Sequence, residues 1–171
     1  SDLQIIDGAL EYVDRKGNST TTLDGMNHKV RVDAPAGASE ISIETESTIE
    51  KVSYGSLTTP LVSNLRLALD QKILYNSQED MVRLLPGTVS VQKIQLNMSG
   101  NVTECTKVPV LNLLIESDKV SIPELLSLIP KEYMTKAEGV KGNGVAKVKI
   151  EVKGSATDST YPDIAGLISA T

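Results

Sequence analysis

A single histidine, a single cysteine and a scatter of carboxylates are the groups in this chain best suited to chemistry. His28 could shuttle a proton or ligate a metal, but a metal site needs further nitrogen or thiolate ligands, and no such pattern accompanies it. It keeps step with Met26, Val30 and Val32, which predicts a partly buried, hydrogen-bonded strand residue. Cys105 would need a positioned base to act as a nucleophile. It lies in a polar turn near Lys107 and reads as an ordinary thiol, and one cysteine excludes an internal disulfide. Asp7, Asp14, Asp24, Asp33, Asp70, Asp80, Glu104 and Asp158 mostly lie at expected strand ends and turns, where carboxylates bond their own backbone. Their spacing does not fit a calcium loop. The glycine-rich run Gly139 to Gly144 follows a helix and precedes a strand, whereas phosphate cradles run from strand into helix, so it reads as a connector.

These residues must be positioned by a chain of 171 residues with a net charge of -5 and 40% apolar composition. The negative balance opposes nucleic-acid binding, which calls for a basic stripe. There are five tyrosines and no phenylalanine or tryptophan. Any core is therefore aliphatic, each buried Leu, Ile or Val contributing roughly 1.5–3 kcal/mol. No run approaches the ~18 apolar residues that a membrane-crossing helix requires.

Period-2 alternation dominates, giving each strand one dry and one wet face. Met26, His28, Val30 and Val32 share one face; Ile41, Ile43, Thr45, Ser47 and Ile49 follow; then Leu65, Leu67 and Leu69. Val89 and Val91 lie on odd positions and Ile94, Leu96 and Met98 on even ones, which predicts a bulge or bend around Gln92-Lys93. Ala146, Val148, Ile150 and Val152 alternate with Lys147, Lys149, Glu151 and Lys153. Turns are expected at 15–18, 33–37, 76–80 and Pro86-Gly87.

The stretch 94–116 recurs as 148–169. Each copy reads as strand, glycine break (Gly100, Gly154), polar turn, proline (Pro109, Pro162) and strand. Repeated hairpins extend a sheet. One segment departs from the pattern: Ser121-Ile122-Pro123-Glu124 is a capping box, and the following Leu125, Leu126, Leu128 and Ile129 have helical spacing. The expected fold is mainly β (α+β): a curved antiparallel sheet of repeated hairpins with one short helix within 121–136. Residues 1–171 form one β-rich segment, expected to belong to a longer protein because no initiator Met or signal pattern opens it and residues 164–171 break off as strand. The candidate apolar face comprises Leu65, Leu67, Leu69, Ile94, Leu96, Met98, Leu111, Leu113, Ile115, Val148, Ile150 and Val152. Leu125, Leu126, Leu128 and Ile129 are available to cover it.

Across most of its length the chain resembles the repeat-bearing portion of the AsmA family of Gram-negative envelope proteins. The resemblance is carried by residues 6–14 (IDGALEYVD), 23–27 (LDGMN), the hairpin around 96–100 (LNMSG) and 111–126 (LNLLIESDKVSIPELL). It implies a periplasmic module of a protein anchored in the inner membrane, concerned with outer-membrane biogenesis and inter-membrane phospholipid transport. In that reading an apolar sheet face shields acyl chains, no catalytic residue or cofactor is involved, and the partner is phospholipid or another acyl-chain lipid. The alternative is a scaffold or chaperone-like module that assists outer-membrane protein assembly through sheet edges. A hydrolase using carboxylates that meet across strands is the third reading.

Overall fold

The alternating segments pair as an antiparallel meander in the computed structural model, which describes residues 1–129, 142–157 and 160–170. The strands are β1 (Asp2–Asp14), β2 (Ser19–Asp33), β3 (Glu40–Ser56), β4 (Pro60–Asn76), β5 (Met81–Val91), β6 (Ile94–Thr103), β7 (Val110–Ser121), β8 (Val145–Ser155) and β9 (Asp163–Ala170), with helix α1 (Ile122–Ser127) between β7 and β8. They form one sheet in sequence order, and β1 and β9 are not joined, so it is not a barrel. At about 4.8 Å per strand the sheet is about 38 Å wide. The two repeats are the β6–β7 and β8–β9 hairpins.

Three expectations are corrected. The parity change at Gln92-Lys93 is a two-residue hairpin turn: Val91 pairs with Ile94, and Gln92 takes a positive φ of 56°. Such tight hairpins need left-handed residues, and here a glutamine serves. Its backbone N–H donates to Arg66 O at 2.8 Å and its side chain to Asn64 O at 3.0 Å, which anchors the turn on β4. Pro86-Gly87 is no turn either; it lies inside β5, where the register shifts between Leu84 and Gly87. Proline lacks the ladder N–H and is tolerated in a strand at such a bulge. Nor does Gly100 break β6, which runs on to Thr103. It has φ 145°, and a Cβ there would stand 2.2 Å from Asn112 O, so the glycine permits the close approach of β7. The expected short helix within 121–136 is α1, which spans six residues. Ser121 caps it, accepting from Glu124 N at 3.4 Å, while 130–136 and the first half of the glycine-rich connector, 139–141, fall outside the described residues.

Little of the molecule is fully buried. Among the described residues the buried apolar side chains are Ile94, Val120, Ala146 and Val148. Leu96, Ile150 and, from α1 and its C-cap, Leu125 and Leu128 pack against Ile94, Val120 and Val148. Ile129, just beyond, is 40% exposed. The accessible surface is 11,422 Å². A compact monomer of 18.3 kDa exposes about 8,100 Å². The difference fits a single sheet whose two faces are mostly open.

Coverage therefore differs along the sheet, and stability should follow it. Val148→Asp strands a carboxylate in the packed cluster at a cost of about 3 kcal/mol, lowering the melting temperature by roughly 6–12 °C. Leu67→Asp, on half-buried β4, should lower it by no more than about 4 °C. Equal losses in thermal melts would show that the face is covered uniformly.

Candidate functional site

Register settles which side chains share a face, because directly paired residues on neighbouring strands point the same way. One cross-strand row, Val32, Ile43, Ile73, Leu84, Gly100, Leu113, Val152 and Ile164, runs unbroken from β2 to β9 and contains no polar side chain. Parallel rows hold the other residues expected on the dry side. Leu67 faces Val91, which faces Ile94, and Leu69 faces Val89, which faces Leu96. Met98 faces Ile115, which faces Ile150. Leu65 pairs with Val52, Leu111 with Val102 and Ser117 with Val148. All twelve candidate residues thus lie on one surface. Alternation also placed Met26, Val30 and Ile49 there, whereas the contributions of β1 (Leu3, Ile5, Leu10, Tyr12) became visible only through pairing.

Extra residues would ordinarily flip the pattern, since a one-residue slip exchanges the faces. Bulges absorb them. Asp7 (φ 50°), Gly25 (φ 63°) and Asn64 (φ 56°) sit at or beside register irregularities on β1, β2 and β4, and apolar side chains return to the same face beyond each one. Among register-paired residues on this surface, Asp14 is the one carrying a formal charge. It stands at the rim, where its Oδ1 accepts from the backbone N–H groups of Lys16 and Gly17 at 2.9 Å each. The helix residues divide: Leu125 and Leu128 sit on the apolar face over β6 to β8, Leu126 is half-buried near Gly142, and Ile129 is exposed. No described element covers β1 to β5 on this side.

A small polar island interrupts the face. His28 on β2 hydrogen-bonds through Nδ1 to Ser47 Oγ of β3, its register partner. Two residues away Thr45 pairs with Gln71 of β4, and both are buried. The Gln71 amide donates to Leu85 O and to Lys72 O (3.0 Å), filling the β5 bulge. Thr45 Oγ1 and Gln71 Oε1 have no protein partner. A serine bonded to a histidine resembles a hydrolytic pair, which also requires a group orienting the imidazole and donors for an oxyanion. Around His28 the neighbours on this face are Ile5, Met26 and Val30, none of which can orient a ring. The island escaped sequence reading because Thr45 and Ser47 looked like ordinary strand positions.

The opposite face carries the charge. Glu44 lies 3.0 Å from Lys72 and 3.7 Å from Arg31, and the hydrogen bond from Lys72 holds its carboxyl below the usual range. Clefts of about 390 and 190 Å³ have walls that include Lys29, Arg31, Glu46, Asp70 and Lys72, and the larger is also lined by Ile5, His28, Ser47 and Leu69 of the apolar rows. Among the described residues no three His, Cys, Asp or Glu side chains gather as a metal site. Cys105 Sγ donates to Val102 O in its turn. No family model, curated protein or solved structure matches this chain.

Two outcomes follow from this geometry. Glu151 accepts from Lys149 Nζ at 2.8 Å and Lys153 Nζ at 2.9 Å, which pulls its pKa down to about 2. A depressed carboxylate adds stability that is present above its ordinary pKa and lost as pH falls toward 2. A carboxyl-carbon NMR titration should give a midpoint near 2 that rises in Lys149→Met; an ordinary midpoint would mean the pairs do not persist in solution. At Gly87 a Cβ would meet Gln71 Oε1 at 2.4 Å and Asp70 O at 2.5 Å. Gly87→Ala should therefore destabilise by about 1–3 kcal/mol in denaturant melts, and a neutral result would mean the bulge can open.

Proposed function

We propose that this chain is a non-catalytic module that shields the acyl chains of phospholipid or another lipid on its apolar sheet face, as in AsmA-like proteins of the Gram-negative envelope. The observation that carries the reading is the eight-strand apolar row, with charges on the other side of the sheet and no described cover over β1 to β5. Contiguous apolar patches on ordinary soluble monomers rarely exceed a few hundred Å². A row about 34 Å long at strand spacing exceeds the depth of one lipid leaflet, about 15 Å of hydrocarbon. Acyl chains can thus lie on the face while their head groups reach water at the rims. The resemblance adds the setting: the periplasm, in a protein anchored in the inner membrane, with a role in moving phospholipid toward the outer membrane. The face works by exclusion of water and requires no cofactor.

A second reading has its own observation. The outer edge of β9 has no charged residue from Ile164 to Ala170, and Ile164, Leu167 and Ile168 are 72%, 63% and 66% exposed. Proteins usually protect open edges with charge or bulges. An unguarded edge suits strand addition by a polypeptide, as a scaffold assisting outer-membrane protein assembly would use it.

Native mass spectrometry of the purified chain separates the two readings. The lipid reading expects co-purified phospholipid, and Leu65→Asp together with Leu67→Asp, both on uncovered β4, should weaken binding of a pyrene-labelled acyl chain at least tenfold. Lipid-free spectra combined with no acyl binding would leave the scaffold reading in its place.

A further inference from the structure

The polar island is placed where an acyl chain would lie, and it holds hydrogen-bonding capacity that the protein does not use. His28 is half-buried, its Nδ1 is engaged by Ser47, and its Nε2 has no protein partner among the described residues. Thr45, two positions from Ser47 on the same face, leaves its Oγ1 unpartnered. For the buried Thr45 Oγ1 the missing partner costs about 1–3 kcal/mol, whereas the half-buried His28 ring remains within reach of a ligand or water.

We propose that His28, held in orientation by Ser47, is a subsite for the carbonyl oxygen of an acyl group, which fixes one point of a lipid along an otherwise featureless apolar face. The assignment rests on the acyl-shielding reading above. The neutral imidazole has one donor and one acceptor nitrogen. In the tautomer whose Nδ1 accepts from the Ser47 hydroxyl, Nε2–H is the donor left for a ligand. The surroundings specify the acceptor as neutral. Ile5, Met26 and Val30 flank the ring on this face, and the nearby charged residues Lys29, Arg31, Glu44, Glu46 and Asp70 belong to the opposite one. A phosphate there would be desolvated with no cation to pair it, which is strongly unfavourable. An ester or amide carbonyl loses less on leaving water and regains one hydrogen bond. The head group would then stand away from β2 and β3, with the chain running across the sheet from His28.

The test compares three probes on the intact chain by fluorescence titration: pyrenedecanoic acid methyl ester, undecylpyrene, which lacks the carbonyl, and free pyrenedecanoic acid. The ester should bind about fivefold tighter than undecylpyrene, the size of one net hydrogen bond. His28→Phe should erase that preference, read as the ratio of ester to undecylpyrene affinity in the same variant. Ser47→Ala, which frees the ring, should reduce it and serves as the test if His28→Phe does not fold. Equal binding of ester and undecylpyrene by the unaltered protein, or a preference that survives both substitutions, overturns the subsite and leaves the trough standing. Free acid binding far tighter than ester would show anion recognition and overturn the neutral-carbonyl assignment. If none of the probes binds, the trough reading fails and the subsite fails with it.

Discussion

Side-chain parity is the constraint on which this structure depends. In a sheet each residue has only two directions available, and a pairing error of one position sends every apolar group into water. Nine strands must agree for a continuous apolar face to exist, and the register shows that they do, from Leu3 on β1 to Ile168 on β9. The bulges follow from this constraint. An extra residue at Gly25 on β2 is matched by one at Glu50-Lys51 on β3, so that Leu23 and Val52 still meet on the dry side. A bulge bends its strand and increases local twist. The same devices that preserve chemical sidedness therefore also shape the sheet.

A face kept largely apolar yet mostly uncovered by the described residues gives up stability that a packed core would supply. Among the described residues, an interior in the usual sense forms where α1 lies across β6 to β8. Elsewhere the ladder hydrogen bonds and partial burial between neighbouring aliphatic side chains hold the strands, helped on the wet side by exposed ion pairs that each contribute little. The aliphatic composition suits this arrangement. Leucine, isoleucine and valine tile a pleated surface without the hydrogen-bonding demands of Trp or Tyr.

Much of this architecture was legible in the sequence because alternation is a direct image of parity. Leu65, Leu67 and Leu69, or Val148, Ile150 and Val152, announce strand, face and orientation together. The Ser121 cap was equally readable, since its chemistry is local. What escaped depended on pairing between distant residues. Gln92 occupies a left-handed turn without being glycine or asparagine because β4 supplies its hydrogen bonds. Pro86-Gly87 resembled a turn because the bulge it forms is defined by Gln71, fifteen residues earlier. The polar island was hidden for the same reason: His28 and Ser47 are ordinary until register brings them side by side. The proposed lipid-shielding role has no local signature, because it rests on the extent and continuity of an apolar surface, and neither is a property of any short motif.

The meander has one more consequence. Each strand contacts chiefly its neighbours in sequence, and the sheet order is the chain order. Such a structure is close to one-dimensional, as solenoids are, with stability built from nearest-neighbour terms. A hairpin can be duplicated or deleted without rerouting any other strand, changing the width by about 10 Å while leaving sidedness intact. The β6–β7 and β8–β9 hairpins share one pattern of strand, glycine, polar turn, proline and strand, as units added in this way would. Span thus becomes a quantity that evolution can adjust in steps of two strands, independently of the chemistry painted on the surface.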